Sequence, residues 1–155
     1  MQGGVSVSVK VVSVNRRAYH EYFVEEKFEA GMVLVGTEIK SIRRGSVQFK
    51  DAYIHFVNHE AYIRDMYIAQ YEFGNRFNHE ETRERKLLMH RHEILKLEKK
   101  VKLKGYTVIP LSMYLKDGRA KLEIGLAMGK DLHDKRQSDK ERDAKREIAK
   151  AMKTR

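Results

Sequence analysis

The chain has 155 residues, with Lys plus Arg 32 against Asp plus Glu 22, a formal charge of +10 and no cysteine. Its length supports one compact domain with a sizeable core, and the missing cysteine excludes a disulfide scaffold, a thiol nucleophile and any Cys-ligated zinc or iron–sulfur site. The basic excess favours a polyanionic partner, nucleic acid before an anionic membrane; no apolar run approaches the roughly 20 residues of a bilayer span, and residues 1–10 lack the layout of a secretory signal, so a cytoplasmic protein is expected.

Residues 5–14 read as a strand, and 22–34 as a second whose middle, Glu25, Glu26 and Lys27, is bent or exposed. Thr37 is a candidate cap for a short helix through Arg44, closed by Gly45. Residues 52–57 and 61–67 form a hairpin joined through Asn58, His59 and Glu60. The segment 67–79, with Tyr67, Tyr71, Phe73 and Phe77 among Asn75, Arg76 and Asn78, reads as a loop folded onto the body rather than an RNA-stacking platform. A longer helix runs from about Arg85 or His90 to Lys104, with Ile94, Leu97 and Val101 as its apolar stripe and Gly105 as its stop.

The Asp117-Gly118 dipeptide suits a two-residue hairpin turn. Counting outward from it places Leu115 opposite Ala120, Met113 opposite Leu122, Leu111 opposite Ile124 and Ile109 opposite Leu126 on an apolar face. Tyr114 opposite Lys121 and Ser112 opposite Glu123 fall on the other face. Pro110 marks a strand edge or a bulge. The expected fold is mainly β with helices: a small antiparallel β-barrel of oligonucleotide-binding type, two or three helices and a basic C-terminal tail.

The chain divides near Gly129. Residues 1–128 carry nearly all the apolar side chains, and the eight Tyr and six Phe all lie between Tyr19 and Tyr114. Residues 129–155 hold ten basic and six acidic groups. Ser138 with Glu141 is a capping-box signature and Glu141–Lys145 a favourable i,i+4 pair, but Ala144, Ile148 and Met152 make only a narrow apolar line, too little to dock on the body. The expectation is an RNA-binding body, 1–128, and a tail, 129–155, disordered when free.

Enzymatic patterns are thin. His90 and His92, two apart, point to different faces of the expected helix; His55 and His59 flank a turn; His20-Glu21 lacks the second histidine of a zincin helix. No catalytic, metal or cofactor residue is assigned. By contrast, Asn15, Arg16, Arg17, His20 and Tyr22 combine charge with a stacking ring within eight residues, as RNA binders do.

The stretches NRRAYHEYFVEEKFEAGMVLVGTEIKSIRRG (15–45), GNRFNHEETRERKLLM (74–89), GYTVIPLSMYLKDGRAKLEIGLAMGK (105–130) and LHDKR (132–136) together resemble the bacterial SsrA-binding proteins, the small protein B family, over about residues 12 to 155. The resemblance implies an oligonucleotide-binding type of barrel that binds the tRNA-like domain of transfer-messenger RNA. It also implies delivery of that RNA to stalled ribosomes for trans-translation. The implied partners are transfer-messenger RNA and the small-subunit decoding centre and message channel of the ribosome, with elongation factor Tu and alanyl-tRNA synthetase reached through the same RNA; no enzyme activity, cofactor or membrane is implied. The tail would become helical in the empty message channel and sense its emptiness.

Matched by position, the RNA-binding residues of the body include Asn15, Glu29, Leu88 and Lys121, and the tail residues that would meet the ribosome are Lys130, His133, Asp134, Lys135 and Arg136. Lys121 is then a phosphate contact and Leu88 an apolar platform, while Glu29 orients an arginine or accepts a 2′-hydroxyl. His133 would stack on a decoding-centre base. Met128 and Asp131 stand where the family usually has basic residues, which removes charge from the body–tail junction. The alternatives are a general RNA chaperone of oligonucleotide-binding fold and, far behind, a small RNA hydrolase using His133, or His20 with Glu21.

Overall fold

The computed structural model describes residues 8–153. In chain order these form β1 (Val9–Val14), α1 (Arg16–Glu21), β2 (Tyr22–Met32), α2 (Gly36–Arg43), β3 (Val47–Gln48), β4 (Tyr53–Val57), β5 (Glu60–Arg64), β6 (Tyr67–Ile68), β7 (Arg85–Leu88), α3 (Arg91–Val101), β8 (Tyr106–Lys116), β9 (Arg119–Gly129) and α4 (Lys130–Lys153). Seven strands make one antiparallel sheet in the order β1-β8-β9-β2-β7-β5-β4, and β3 pairs with β6 separately. The sheet curls until β4 lies against β8, and Ile42, Ile63, Leu87, Leu97, Leu122 and Leu126 fill the enclosed core. Residues 5–7 of the expected first strand lie outside the described residues.

Both hairpins follow from their turns. Asp117 and Gly118 have φ of 51° and 80°, and Asn58 and His59 have 51° and 63°, the doubly left-handed pattern that matches strand twist. Glu60 therefore belongs to the second strand, paired with Val57. From Asp117-Gly118 the register runs as expected through Ser112 opposite Glu123, then shifts by one. Leu111 is bulged out, so Pro110 meets Ile124 and Val108 meets Leu126, in place of the expected Leu111–Ile124 and Ile109–Leu126 pairs. The cause is local: Pro110 has no N–H for the ladder, and its carbonyl accepts from Asn15 Nδ2 at 2.8 Å while the Leu111 carbonyl accepts from Asn15 N at 2.8 Å. In β2 the acidic stretch is a second irregularity, with Val24 paired to Ala127 and Glu26 to Leu126.

The helices differ from expectation at their starts. α2 is capped at Val35, whose N–H donates to Glu38 Oε1 at 2.9 Å, while Thr37 instead bonds His79. Of the two expected starts of the longer helix, His90 is its N-cap and Arg85 lies in a separate strand. Residues Arg85–Leu88 are the strand β7, paired with β2 and β5, and α3 starts only after His90, with Ile94 and Leu97 buried as its stripe. His90 thus lies outside the helix, and its ring stacks on that of His92 at 5.6 Å instead of pointing away from it.

Arg85 is fully buried, and so is Glu38. Arg85 Nε donates to Glu38 Oε2 at 2.5 Å and Arg83 Nη2 to Glu38 Oε1 at 2.6 Å; Arg85 also donates to the carbonyls of Met66 and Glu81 at 2.6 and 3.0 Å. Burial pushes the Glu38 carboxyl up, but the bonds from Arg83, the Val35 N–H and Arg85 outweigh it and hold it below its ordinary value. A folded-state value below the unfolded one means stability that is present above about pH 4.5 and is lost as the pH falls through the folded-state value. Glu38→Ala would leave a buried guanidinium uncompensated and should cost about 3–5 kcal/mol, read by urea unfolding at pH 7, with the difference from the parent shrinking at acid pH.

Candidate nucleic-acid interface

Cross-strand register assembles the first part of the surface. On one face Tyr114 of β8, Lys121 of β9, Gly31 of β2 and Leu88 of β7 are successive partners across four strands. Gly31 is what lets its neighbours meet. A Cβ there would lie 3.4 Å from Leu88 Cβ and 3.7 Å from Lys121 Nζ, so a larger side chain would occupy the space between an exposed leucine and an ammonium. Leu88 is 53% exposed, beside that glycine.

Glu29 lies two residues before Gly31 on the same face. Its carboxylate accepts a short hydrogen bond from Tyr114 Oη and lies 3.4 Å from Lys116 Nζ. The Tyr114 bond, then Lys116 and Lys121, hold it below the usual carboxylate range despite some burial, and Tyr114 is driven up by burial and by Glu29. The acid that sequence reasoning found hardest to place beside RNA is thus already satisfied by this protein. Grooves run on both sides of Leu88 and Lys121: one is bordered by Glu60, Lys86, Met89 and His90, the other by Met32, Leu34, Ile39, Arg43 and Arg119. In the first, Lys86 pairs with Glu60 at 3.0 Å.

Asn15, Arg16, Arg17, His20 and Tyr22 form a second cluster, about 23 Å from Glu29 along β2 at the usual strand rise. They lie on or beside α1, a helix too short for periodicity to reveal. Asn15 caps it through the Ala18 N–H at 3.3 Å. Arg17 reaches Glu21 at 2.9 Å and Asp51 at 3.1 Å. Arg16 and His20 are exposed, while Tyr22 is partly buried against the small core of Ala18, Ile109, Leu111 and Ala127. A pocket opens here between α1 and the turn at Lys50 and Asp51.

The third part is the tail root. The His133 ring stacks on Phe23 with centroids 3.8 Å apart and planes at 15°. Arg136 donates to the Lys104 carbonyl and lies over the Tyr106 ring at 5.8 Å, and Leu132 occupies the space a Cβ on Gly105 would need. The first two turns of α4 therefore dock on the body, while the Ala144–Ile148–Met152 line takes no part in the contact. Ile148 and Met152 stay exposed. Met128 is buried, partnered by Phe23 and Tyr106, and Asp131 is exposed in the first turn of α4, where its charge suits the helix N-terminus. Lys130, Asp134 and Lys135 are exposed.

The chain's likeness to known proteins agrees with this geometry. The family model described as SmpB protein matches residues 12–154. Curated SsrA-binding proteins of Desulfitobacterium hafniense and Bacillus cereus are 57% and 53% identical, covering 92% and 96% of this chain and the same shares of their own lengths. A chain from a solved structure of tmRNA–SmpB at the centre of the bacterial ribosome superposes with a TM-score of 0.66 at 46% identity, covering 76% of this chain and 83% of that one. The chain belongs to the SmpB family.

Within this SmpB-family chain, sequence reasoning missed Gly31, Tyr114 and Lys116, which align Leu88 with Lys121 and satisfy Glu29. The hairpin register carried the one available signal, since it already set Tyr114 opposite Lys121. Phe23 was missed altogether. Among the described residues no group of three or more His, Asp or Glu is placed to hold a metal ion, and no helix is long and apolar enough to cross a membrane. Phe23→Ala removes an exposed ring that packs mainly on His133. The body's unfolding midpoint should move little, while trypsin should cut at Lys130, Lys135 and Arg136 several-fold faster than in the parent; unchanged cleavage would mean that the stack does not hold the tail root.

Proposed function

We propose that this chain binds the tRNA-like domain of transfer-messenger RNA and carries it to stalled ribosomes for trans-translation, as a binding factor without catalytic chemistry. The observation that carries the reading is the row Tyr114–Lys121–Gly31–Leu88, where an ammonium and an exposed aliphatic platform adjoin and the nearby acid is already engaged by Tyr114 and Lys116. Such a surface offers a phosphate contact and a hydrophobic seat for a base or ribose in one place. The names of the curated relatives and of the superposed structure support the same RNA and the ribosome as partners. Elongation factor Tu and alanyl-tRNA synthetase would act on the same RNA, and the setting would be the bacterial cytoplasm.

Glu29 then works as a positioning acid: held by Tyr114 and Lys116, it fixes Lys121 without meeting phosphate. Arg16, Arg17 and His20 form a second contact at the α1 end, with Tyr22 contributing mainly through packing, and Asn15 sets the helix that presents them. The hydrolase alternative loses support because Glu21 is engaged by Arg17 and the His133 ring by Phe23.

The tail has its own role. Beyond Arg136, α4 has no buried residue, and its like-charged neighbours make an isolated helix of that length marginal. Its outer part would exchange between helix and coil in the free protein and set as helix in the empty message channel, where its basic groups meet ribosomal RNA phosphates. His133, with Lys130, Asp134, Lys135 and Arg136 around it, would exchange Phe23 for a base of the decoding centre.

Competition with bulk tRNA tests the specific reading: transfer-messenger RNA should remain bound at excess tRNA, and equal displacement would return the chain to a general RNA chaperone. Lys121→Ala should weaken binding and lower the slope of log affinity against log salt by about one. Truncation after Met128 should leave RNA affinity within about twofold of the parent and abolish ribosome rescue; normal rescue by the truncated chain would reduce the tail to a solvated extension.

A further inference from the structure

The segment between β6 and β7 takes no part in the surfaces described above, yet it is firmly built. The His79 ring is buried, bonded at Nδ1 to Thr37 Oγ1 and at Nε2 to the Ile68 carbonyl, both at 2.9 Å. Asn78 clasps the start of the loop, its Oδ1 accepting from Tyr71 N at 3.0 Å and its Nδ2 donating to the Tyr71 carbonyl at 2.6 Å. Gly74 N donates to the same carbonyl at 2.9 Å, and a Cβ on Gly74 would come within 2.7 Å of Asn78 Nδ2 and 2.9 Å of Thr37 Cγ2.

What this rigid loop presents is two phenylalanines to water, Phe73 at 63% and Phe77 at 79% exposure. Their apolar surface gains nothing from folding while it stays wet. Cations surround the rings. The Arg44 guanidinium lies 4.9 Å from the Tyr71 centroid and 5.1 Å from that of Phe73, Lys40 Nζ lies 5.3 Å from Tyr71, and Arg76 lies 5.1 Å from Phe77. Tyr71 and Phe73 meet edge to face at 5.5 Å. Glu72 reaches Arg44 at 3.5 Å from an exposed position.

This patch joins the surface assigned to RNA. Lys40 and Arg44 form one i,i+4 stripe of the α2 region, and Ile39 and Arg43 form the next. That second stripe lines the groove shared by Leu88 and Lys121. Arg43 of that groove is thus the chain neighbour of Arg44, which lies against the rings of the aromatic loop.

We infer that the loop is a second, base-stacking arm of the RNA interface, on which unpaired nucleotides of the bound transfer-messenger RNA stack against Phe77 and Phe73 while Arg44, Arg76 and Lys40 neutralise their phosphates. The inference rests on the RNA-binding reading above. The sequence alone favoured a loop folded onto the body; its backbone is anchored there, and its two outermost rings are not. Exposed rings set among three cations fit a π-faced polyanion better than an apolar protein pocket, which would have to desolvate those charges.

The test uses the full chain and a labelled tRNA-like domain of transfer-messenger RNA. The double variant Phe73→Ala with Phe77→Ala removes two exposed rings and should fold as the parent does. It should bind at least about tenfold more weakly, the scale of losing one base–aromatic stack, with an unchanged salt slope because no phosphate contact is lost. Phe77→Trp should bind within about twofold of the parent, since a ring remains. Parent-like affinity in the double variant would overturn the inference, including the case where rescue alone fails through a protein contact. The parent chain titrated in parallel with bulk tRNA keeps the two questions apart: loss of preference in the parent refutes the underlying reading, whereas loss confined to the double variant supports the stacking arm.

Discussion

A carboxylate with no exposed surface, held between two arginines, organises this protein. Glu38 takes Arg85 on one oxygen and Arg83 and the Val35 N–H on the other. Such a cluster is a poor source of net stability, because desolvating Glu38 and Arg85 cancels most of what the pairing returns. Its effect is on geometry. It fixes the first turn of α2, and it turns Arg85 inward, which sets the alternation of β7 and leaves Leu87 in the core and Leu88 outside. The additional bonds from Arg85 to the carbonyls of Met66 and Glu81 tie the same point to the end of β5 and to the loop before β7.

The candidate surface depends on that choice of face. A one-residue slip of β7 would bury Leu88 together with Lys86 and turn Arg85 away from Glu38. The same strand-by-strand logic controls the charge. Glu29 and Lys121 lie one step apart diagonally on neighbouring strands, and Tyr114 reaches across β9 to take the acid. The result is a locally cationic seat in a region whose raw composition is mixed. At the other end of β2, Phe23 engages the tail root, so a single strand spans both the body's proposed RNA seat and the junction from which the tail departs.

How legible this was depends on the range of the cause. The two hairpin turns are local, and Asp117-Gly118 gave a register correct as far as Ser112–Glu123. The bulge at Leu111 needed Asn15, 95 residues from Pro110 in sequence, to claim the freed carbonyl. Arg85 stood only as one of two possible helix starts, since its partner Glu38 is 47 residues away and nothing in the composition of 85–88 marks a buried guanidinium. The six residues of α1 are fewer than two helical turns, so no apolar stripe could declare them. Glu29 and Leu88 came to notice only through resemblance to a family, whereas the hairpin register had already set Lys121 on the polar face. Their adjacency became visible once β2 was seen to pair on both sides at Gly31, and the docking of His133 required a ring from the opposite end of the body.

The most direct measurement is the backbone and methyl NMR spectrum of the full chain titrated with the tRNA-like domain of transfer-messenger RNA. The account predicts that the largest shifts fall together on Gly31, Leu88 and Lys121, with Leu95 of α3 and Leu103 just beyond it unmoved. Shifts confined to residues 130–153, with Leu88 and Lys121 unchanged, would contradict it.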